Sequence, residues 1–357
     1  MPSPTKPLST KPPVNPAAVN AAPLARPPAS VVAPIADLAK LRFAARELSL
    51  FPQRAVKSAL NGSRNSRFRG RGMDFDEVRP YQPGDDIRTI DWRVTARTTS
   101  PHTKVFREDR ERPLMVICDL RQSMFFGSRR LKSVCACEIA SLLAWTGLNA
   151  GERIGALVFG PHEQRDIRAR RSQHSVLQLI QALHETSMAL LSSNRSSNRS
   201  SNKPSNTPRD EQDAAIAAQS EHFSLGEILE DTRRVARPGT SLMIISDFHD
   251  LDASGERHLF ELARHCDLTL FHIHDTLESQ LPPPGQYQVH NGAQRFLLNA
   301  ANTKLRGRFE QRYRDREQHL QNTALRLQLP LLSFSTDAPV LNTLRQAFAR
   351  QGRRKRS

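Results

Sequence analysis

Apolar and polar positions follow two periods along the chain, and together they predict most of its elements. Met115, Val116, Ile117 and Cys118 form a short apolar run between the charged stretch FREDRER and Asp119. A continuous apolar run bounded by polar residues reads as a strand buried on both faces. In the following stretch RRLKSVCACEIASLLAWTGL, Leu131, Val134, Cys135, Ile139, Leu142 and Leu143 recur at helical spacing. Residues 152–160 (ERIGALVFG) predict a second central strand, with 164–168 as its hairpin partner. Val176, Leu177, Leu179, Ile180 and Leu183 mark a second helix face, and 225–235 a third. SLMIIS at 241–246 is another buried strand and stops at Asp247. A short helix at 259–263 precedes a strand at 268–273. Beyond a Pro-Pro-Pro-Gly turn at 282–285 come a hairpin (287–290 with 295–298) and a highly charged helix from about 305 to 327. A last strand at 331–334 leads to a terminal helix, with Asp337 as its expected cap and Pro339 in its first turn. This alternation predicts an α/β fold, a three-layer sandwich around a mostly parallel sheet. Ligands of such sheets sit at the carboxyl ends of the strands, where Asp119, Ser123 and Asp247 fall.

The periods break in three places. Residues 1–36 hold ten of the 24 prolines and no acidic residue, which predicts a disordered, partly polyproline-like tail. Around 192–213 a tandem repeat, SSNR-SSNR-SSNK, predicts a disordered surface insertion. Residues 351–357 form a basic tail. Between the leader and the principal domain (113–350), residues 37–112 form a separate N-terminal segment: a short helix, a basic loop and the block YQPGDDIRTIDWRVTAR. Leu38, Leu41, Ala45 and Leu48 give the helix its face. In the block, Pro83-Gly84 fits the centre of a type II turn, and Asp85 or Asp86 a helix cap. The same spacing would bring Arg88, Asp91, Arg93 and Arg97 together as ion pairs.

Charge adds candidate partners without choosing among them. The chain carries 52 basic and 36 acidic residues, a formal net charge of +16, which attracts nucleic acid, an anionic membrane surface or an acidic protein. Residues 54–71 contain six basic and no acidic residues, with Arg64, Arg67, Arg69 and Arg71 as candidate anion contacts. Residues 353–356 are a second basic run. Phe68 is the one aromatic in the loop, where a single-strand groove would want several stacking platforms. The four cysteines, Cys118, Cys135, Cys137 and Cys266, form no CxxC pair and lie in apolar contexts, which reads as free thiols in a reducing compartment. No apolar run is long enough to span a bilayer, and the N-terminus lacks the apolar core of a secretory signal. A cytoplasmic protein is expected, with a peripheral membrane contact left open by the charge.

The block containing Tyr81, Pro83, Gly84, Asp85, Asp86, Asp91, Trp92 and Arg97, followed by a strand ending in Asp and a DxxxS loop, resembles the domain-of-unknown-function family 58 over roughly residues 41–348. That resemblance implies a von Willebrand factor A-like fold. It also implies partners among MoxR-type AAA+ ATPases and other von Willebrand factor A-like proteins. Such domains often seat a divalent ion in a D-x-S-x-S loop, with a hydroxyl and an Asp from two other loops, oxygen ligands that suit Mg²⁺. Here the loop is Asp119-Leu120-Arg121-Gln122-Ser123, so Arg121 stands where the middle Ser would be. Asp247 matches the later Asp, and Ser224 is the nearest candidate for the hydroxyl. A fixed cation ~4 Å away would repel a metal by about 4 kcal/mol per unit charge at an effective dielectric near 20. The expectation is that Arg121 stands in for the metal by pairing with Asp119 or Asp247, and that no cofactor is held; if Mg²⁺ were bound, Asp119, Ser123 and Asp247 would be its ligands.

The function expected from this is a non-enzymatic protein-interaction module with a degenerate metal site, using Asp119, Arg121, Ser123 and Asp247 toward its partner. Two other classes compete. One is a nucleic-acid or anion-binding protein acting through 54–71 and 353–356. The other is a metal-dependent hydrolase built on Asp119, Asp247 and Asp250. The chain contains no G-x-S-x-G, P-loop or His-carboxylate motif that would favour catalysis.

Overall fold

The computed structural model describes residues 28–48, 73–98, 100–108, 113–200, 223–290 and 295–354. The Pro-rich leader to residue 27, the basic loop with Arg64, Arg67, Arg69 and Arg71, and the end of the basic tail lie outside the described residues.

The centre is a six-stranded sheet. Its strands are β3 (Leu114–Asp119), β4 (Ile154–Phe159), β5 (Gln164–Arg170), β6 (Ser241–Ser246), β7 (Asp267–His274) and β10 (Leu331–Ser335). Their order is β10-β7-β6-β3-β4-β5, and all neighbours are parallel except β4 and β5. Two short antiparallel pairs stand outside it: β1 (Met73–Pro80) with β2 (His102–Glu108), and β8 (Gln286–His290) with β9 (Arg295–Asn299).

The inner strands β3, β4 and β6 are buried on both faces because helices cover both. Val116 and Cys118 of β3 share one core with α1 (Ile35–Ala44), α3 (Lys132–Asn149), the first half of α4 (Gln173–Ser200) and α9 (Val340–Arg354). Met115 and Ile117 face the other, with α5 (Leu225–Val235), α6 (Ala253–His265) and α8 (Thr303–Arg326). This is the period of two along a strand, with both sets of positions buried. α3 lies so close to the sheet that a Cβ on Gly147 would sit 2.5 Å from Leu114 Cδ2. A short helix, α7 (Thr276–Ser279), follows β7.

Three local expectations change. The helix α4 does not stop at Ser192 but runs through two SSNR units to Ser200. The reason is tertiary: Asn194 is buried and exchanges side-chain hydrogen bonds with Gln122 (2.6 and 3.3 Å), which outweighs the weak helix propensity of Ser and Asn. Residues 201–222 lie outside the described residues. Asp337 turns away from the last helix to accept from Thr276 Oγ1 (2.6 Å) and to pair with Arg129 (3.4 Å).

In the N-terminal block the turn forms as predicted: Gly84 has φ +109°, and the Asp85 amide donates to the Gln82 carbonyl at 3.0 Å. Asp86 caps a single 3₁₀ turn (Ile87–Thr89), and Asp91 accepts from the Arg93 and Val94 amides at the start of α2 (Trp92–Thr98). The expected cluster of Arg88, Asp91, Arg93 and Arg97 does not form. Asp91 pairs instead with Lys104 of β2 (3.4 Å), and Asp85 with Arg79 of β1 (2.8 Å), because the strands bring those cations closer.

Candidate functional site

The carboxyl ends of the central strands gather one carboxylate after another. Asp119 ends β3, Asp247 and Asp250 follow β6, and Asp275 and Glu278 follow β7. Several buried carboxylates so close together would repel one another strongly, so cations or donors must stand between them.

Arg121 stands between the first pair. Its Nε donates to Asp119 Oδ1 (2.9 Å) and its Nη2 to Asp119 Oδ2 (2.8 Å). Nη2 also donates to Asp250 Oδ1 (3.0 Å), and Nη1 to Asp250 Oδ2 (2.6 Å) and the Phe223 carbonyl (2.8 Å). All five N–H donors of the guanidinium are used, four of them on two carboxylates in forked pairs. Arg121 is only 6% exposed. Burial works against its charge, but Asp119 and Asp250 outweigh that and raise its pKa above the ordinary value. Asp119 also accepts from Ser246 Oγ (2.7 Å) and from the Arg121 amide (3.0 Å). Asp250 accepts from the Leu225 amide (3.0 Å), which ties the start of α5 to the same point.

Asp247 does not meet Arg121. It meets Lys132, the first residue of α3, whose Nζ donates to Asp247 Oδ2 (2.7 Å) and Glu278 Oε1 (2.6 Å). Lys132 is 1% exposed and lies 5.9 Å from the centroid of Phe126. Burial alone would raise the pKa of Asp247; Lys132 and then His249 reverse this and hold it well below the ordinary carboxylate range. His249 is raised, chiefly by its hydrogen bond to Asp247 (3.3 Å). The crown therefore contains two buried cations and two carboxylate pairs, with His249 between Asp247 of one and Asp250 of the other. The chain turns sharply between them: Phe248 has φ +49°, a conformation that costs a bulky residue on the order of 1–3 kcal/mol.

Asp275 fixes the rim. Fully buried, it accepts from the Ser128 amide (2.7 Å), Ser128 Oγ (2.9 Å), the Leu277 amide (2.9 Å) and Thr336 Oγ1. A small cleft of about 30 Å³ lies between Asp247, His249, Glu278 and the α8 residues Tyr313 and Glu317. His272, on the wall of that cleft, is neutral: burial, then its neighbour His274, lower its pKa to about 4.

Among the sequence candidates, Asp119, Arg121 and Asp250 meet directly, and Asp247 lies in the adjoining pair. Ser123 joins neither; its Oγ is buried with no hydrogen-bond partner. Ser224 serves as the cap of α5, accepting from the Glu227 amide (3.2 Å) in a capping box. Asp119 and Asp250 share Arg121 and Asp247 takes Lys132, while His249 Nδ1 lies 3.3 Å from Asp247 and 3.5 Å from Asp250. Lys132, Glu278 and His249 were missed. A signal for Lys132 existed: Cys135, Ala136 and Ile139 follow it at helical spacing and are all buried, so the lysine lies on the inward stripe of α3. Cys118 points into the α3 side of the sheet, and burial raises its thiol well above the usual range, with no base beside it.

An uncharacterized protein of Mycobacterium tuberculosis, Rv1480, and its Mycobacterium bovis counterpart, Mb1516, are each 36% identical to this chain over 154 residues, 40% of this chain. The match spans 47%, about half, of the length of these relatives. The conserved hypothetical protein BatB from Bacteroides thetaiotaomicron, known from a crystal structure, overlays on 68% of this chain and 99% of its own. Its identity is 10% and its TM-score 0.36, too loose a superposition to carry an argument. Residues 77–319, about two thirds of the chain, match a described family, and the chain belongs to it: Protein of unknown function DUF58.

Proposed function

We propose that this chain is a non-enzymatic protein-interaction module of von Willebrand factor A-like architecture, and that it docks a MoxR-type AAA+ ATPase during complex assembly or maturation. The observation that carries this reading is the saturated guanidinium of Arg121 between Asp119 and Asp250. A divalent ion needs hard oxygen ligands with open lone pairs. Here the carboxylates are already bonded to a guanidinium or an ammonium, so these residues do not fit Mg²⁺. What the crown offers is a shaped, charge-neutralised surface. Its buried members, Asp119, Arg121 and Asp247, hold that shape from beneath, while Phe126, Arg129 and His249 stand exposed around them and supply the contacts.

Two measurements test this. Calorimetric titration of the purified chain with MgCl₂ is expected to give only dilution heats, whereas Arg121→Ser, which frees Asp119 and adds a hydroxyl, gains a Mg²⁺ site. A micromolar site in the unaltered chain overturns the substitution of cation for metal. Separately, a MoxR-type ATPase from the same cell is expected to bind the chain, and Phe126→Asp with His249→Asp to weaken that binding about tenfold or more. Unchanged binding by that variant removes the crown as the docking surface.

A further inference from the structure

In the arm formed by β1, α2 and β2, residues 77–98 and 100–104 contribute nothing to either core, and among them only Thr103 is buried. Yet it displays two large apolar side chains: Trp92 is 68% exposed and Ile87 is 65% exposed. The inward side of α2 is settled by two contacts with β2, from Thr95 Oγ1 to the His102 amide and from Thr98 Oγ1 to His102 Nδ1 (both 3.0 Å). The other side carries Trp92, Arg93, Ala96 and Arg97, all exposed, within an arc of roughly 140° at 100° per residue. Ile87 and Arg88 are exposed on the turn just before it.

The carboxylates of the turn and of α2 work internally: Asp85 with Arg79 and the Gln82 amide, Asp86 with the Arg88 amide, and Asp91 with two helix amides and Lys104, while Glu77 of β1 is exposed. Arg88, Arg93 and Arg97 have no carboxylate partner among the described residues. The turn and helix together therefore expose two large apolar side chains and three guanidinium groups without a carboxylate partner among the described residues. Trp and Arg are the side chains that dominate protein interfaces once desolvated.

We propose that this face docks a partner protein that presents an apolar pocket rimmed by carboxylates. Trp92 and Ile87 would fill the pocket, and Arg88, Arg93 and Arg97 would pair with its rim. A second copy of the chain fits poorly, because each carries a net charge of +16. Nucleic acid fits less well than protein. Ile87 offers no π-face, and Trp92 is the single aromatic on this face, where a nucleic-acid groove would want several stacking platforms. The inference rests on the arm alone and stands or falls apart from the crown.

The test places a photocrosslinking benzoylphenylalanine at Trp92 of the full chain in its own cells. The same group at Leu297, an equally exposed apolar residue on β9, is the control. The protein captured at position 92 but not at 297 is then purified and its dissociation constant measured. Trp92→Ala and the pair Arg93→Glu/Arg97→Glu are each expected to weaken binding about tenfold or more, with the circular dichroism spectrum unchanged. Reversing the partner's crosslinked acidic residues to Arg should restore binding to the Glu pair. Equal capture at both positions overturns the proposal. So does recovery of nucleic acid, of a second copy or of an adduct within the chain, and so does binding indifferent to the Arg reversals.

Discussion

Replacing Arg121 with alanine should destabilise the protein by about 3–5 kcal/mol, as removal of one partner from a buried ion pair does. Asp119 is 1% exposed and would keep only Ser246 Oγ and one backbone amide as donors. Asp250 would lose two charge-assisted bonds at once. A domain has only ~5–15 kcal/mol in hand, so the loss is a large fraction of the whole. It should appear in urea melts as a lower midpoint with an unchanged slope. Arg121→Lys should recover only part of it, since a single ammonium has three donors and cannot fork onto two carboxylates. Removing the charges together, with Arg121→Met, Asp119→Asn and Asp250→Asn, should cost less than Arg121→Ala alone. A fully stable Arg121→Ala would mean that Asp119 and Asp250 do not depend on this cation, and the account of the crown would fail.

Lys132→Met should be comparably costly, about 3–5 kcal/mol at neutral pH, and its cost should depend on pH in a defined direction. The folded pKa of Asp247 is depressed, so its contribution is present above the unfolded value of about 3.9 and disappears as pH falls through the folded value. Lys132 is buried, yet its carboxylate partners raise its pKa; its contribution is present below about 10.4 and disappears as pH rises through the folded value. The pair therefore supports the native state across the range between. With Lys132 gone, Asp247 keeps His249 as its cationic neighbour but faces Glu278 unshielded, and burial pushes its carboxyl up. Acidification then protonates Asp247 and relieves the unpaired charge, so the deficit of the variant should shrink toward pH 4–5. Chemical denaturation at pH 7 and pH 4.5 reads this directly. A deficit that grows on acidification would show that Lys132 does not act through Asp247. Lys132→Met/Asp247→Asn should be more stable than Lys132→Met at pH 7.

Much of the fold was legible in the sequence because the central strands are apolar on both faces and the helices on one. The runs at 115–118 and 241–246 needed no tertiary information to be read as strands, nor did the turn at Pro83-Gly84. The helix continuing to Ser200 was not legible, because its support comes from Gln122, 72 residues earlier in the chain. Half of the site could be read. Asp119 and the foreign Arg121 stood out against a motif, and their pairing is local, two residues apart. Which second carboxylate Arg121 takes could not be read, since both Asp247 and Asp250 follow β6, and the chain turns between them at Phe248, where φ is +49°. Lys132 was hidden for a different reason: it lies among Arg129 and Arg130, where a basic residue passes for a solvated one.

Asp275 has a consequence for how the crown would meet anything. The loop between β3 and α3 is fastened by that side chain to the segments after β7 and β10, and Arg130 of the loop adds hydrogen bonds to the Thr336 and Ala338 carbonyls. A connection that would ordinarily sample many shapes is therefore clamped to the body of the domain. Little loop entropy remains to be surrendered on association, so complex formation here should resemble the fitting of two finished parts.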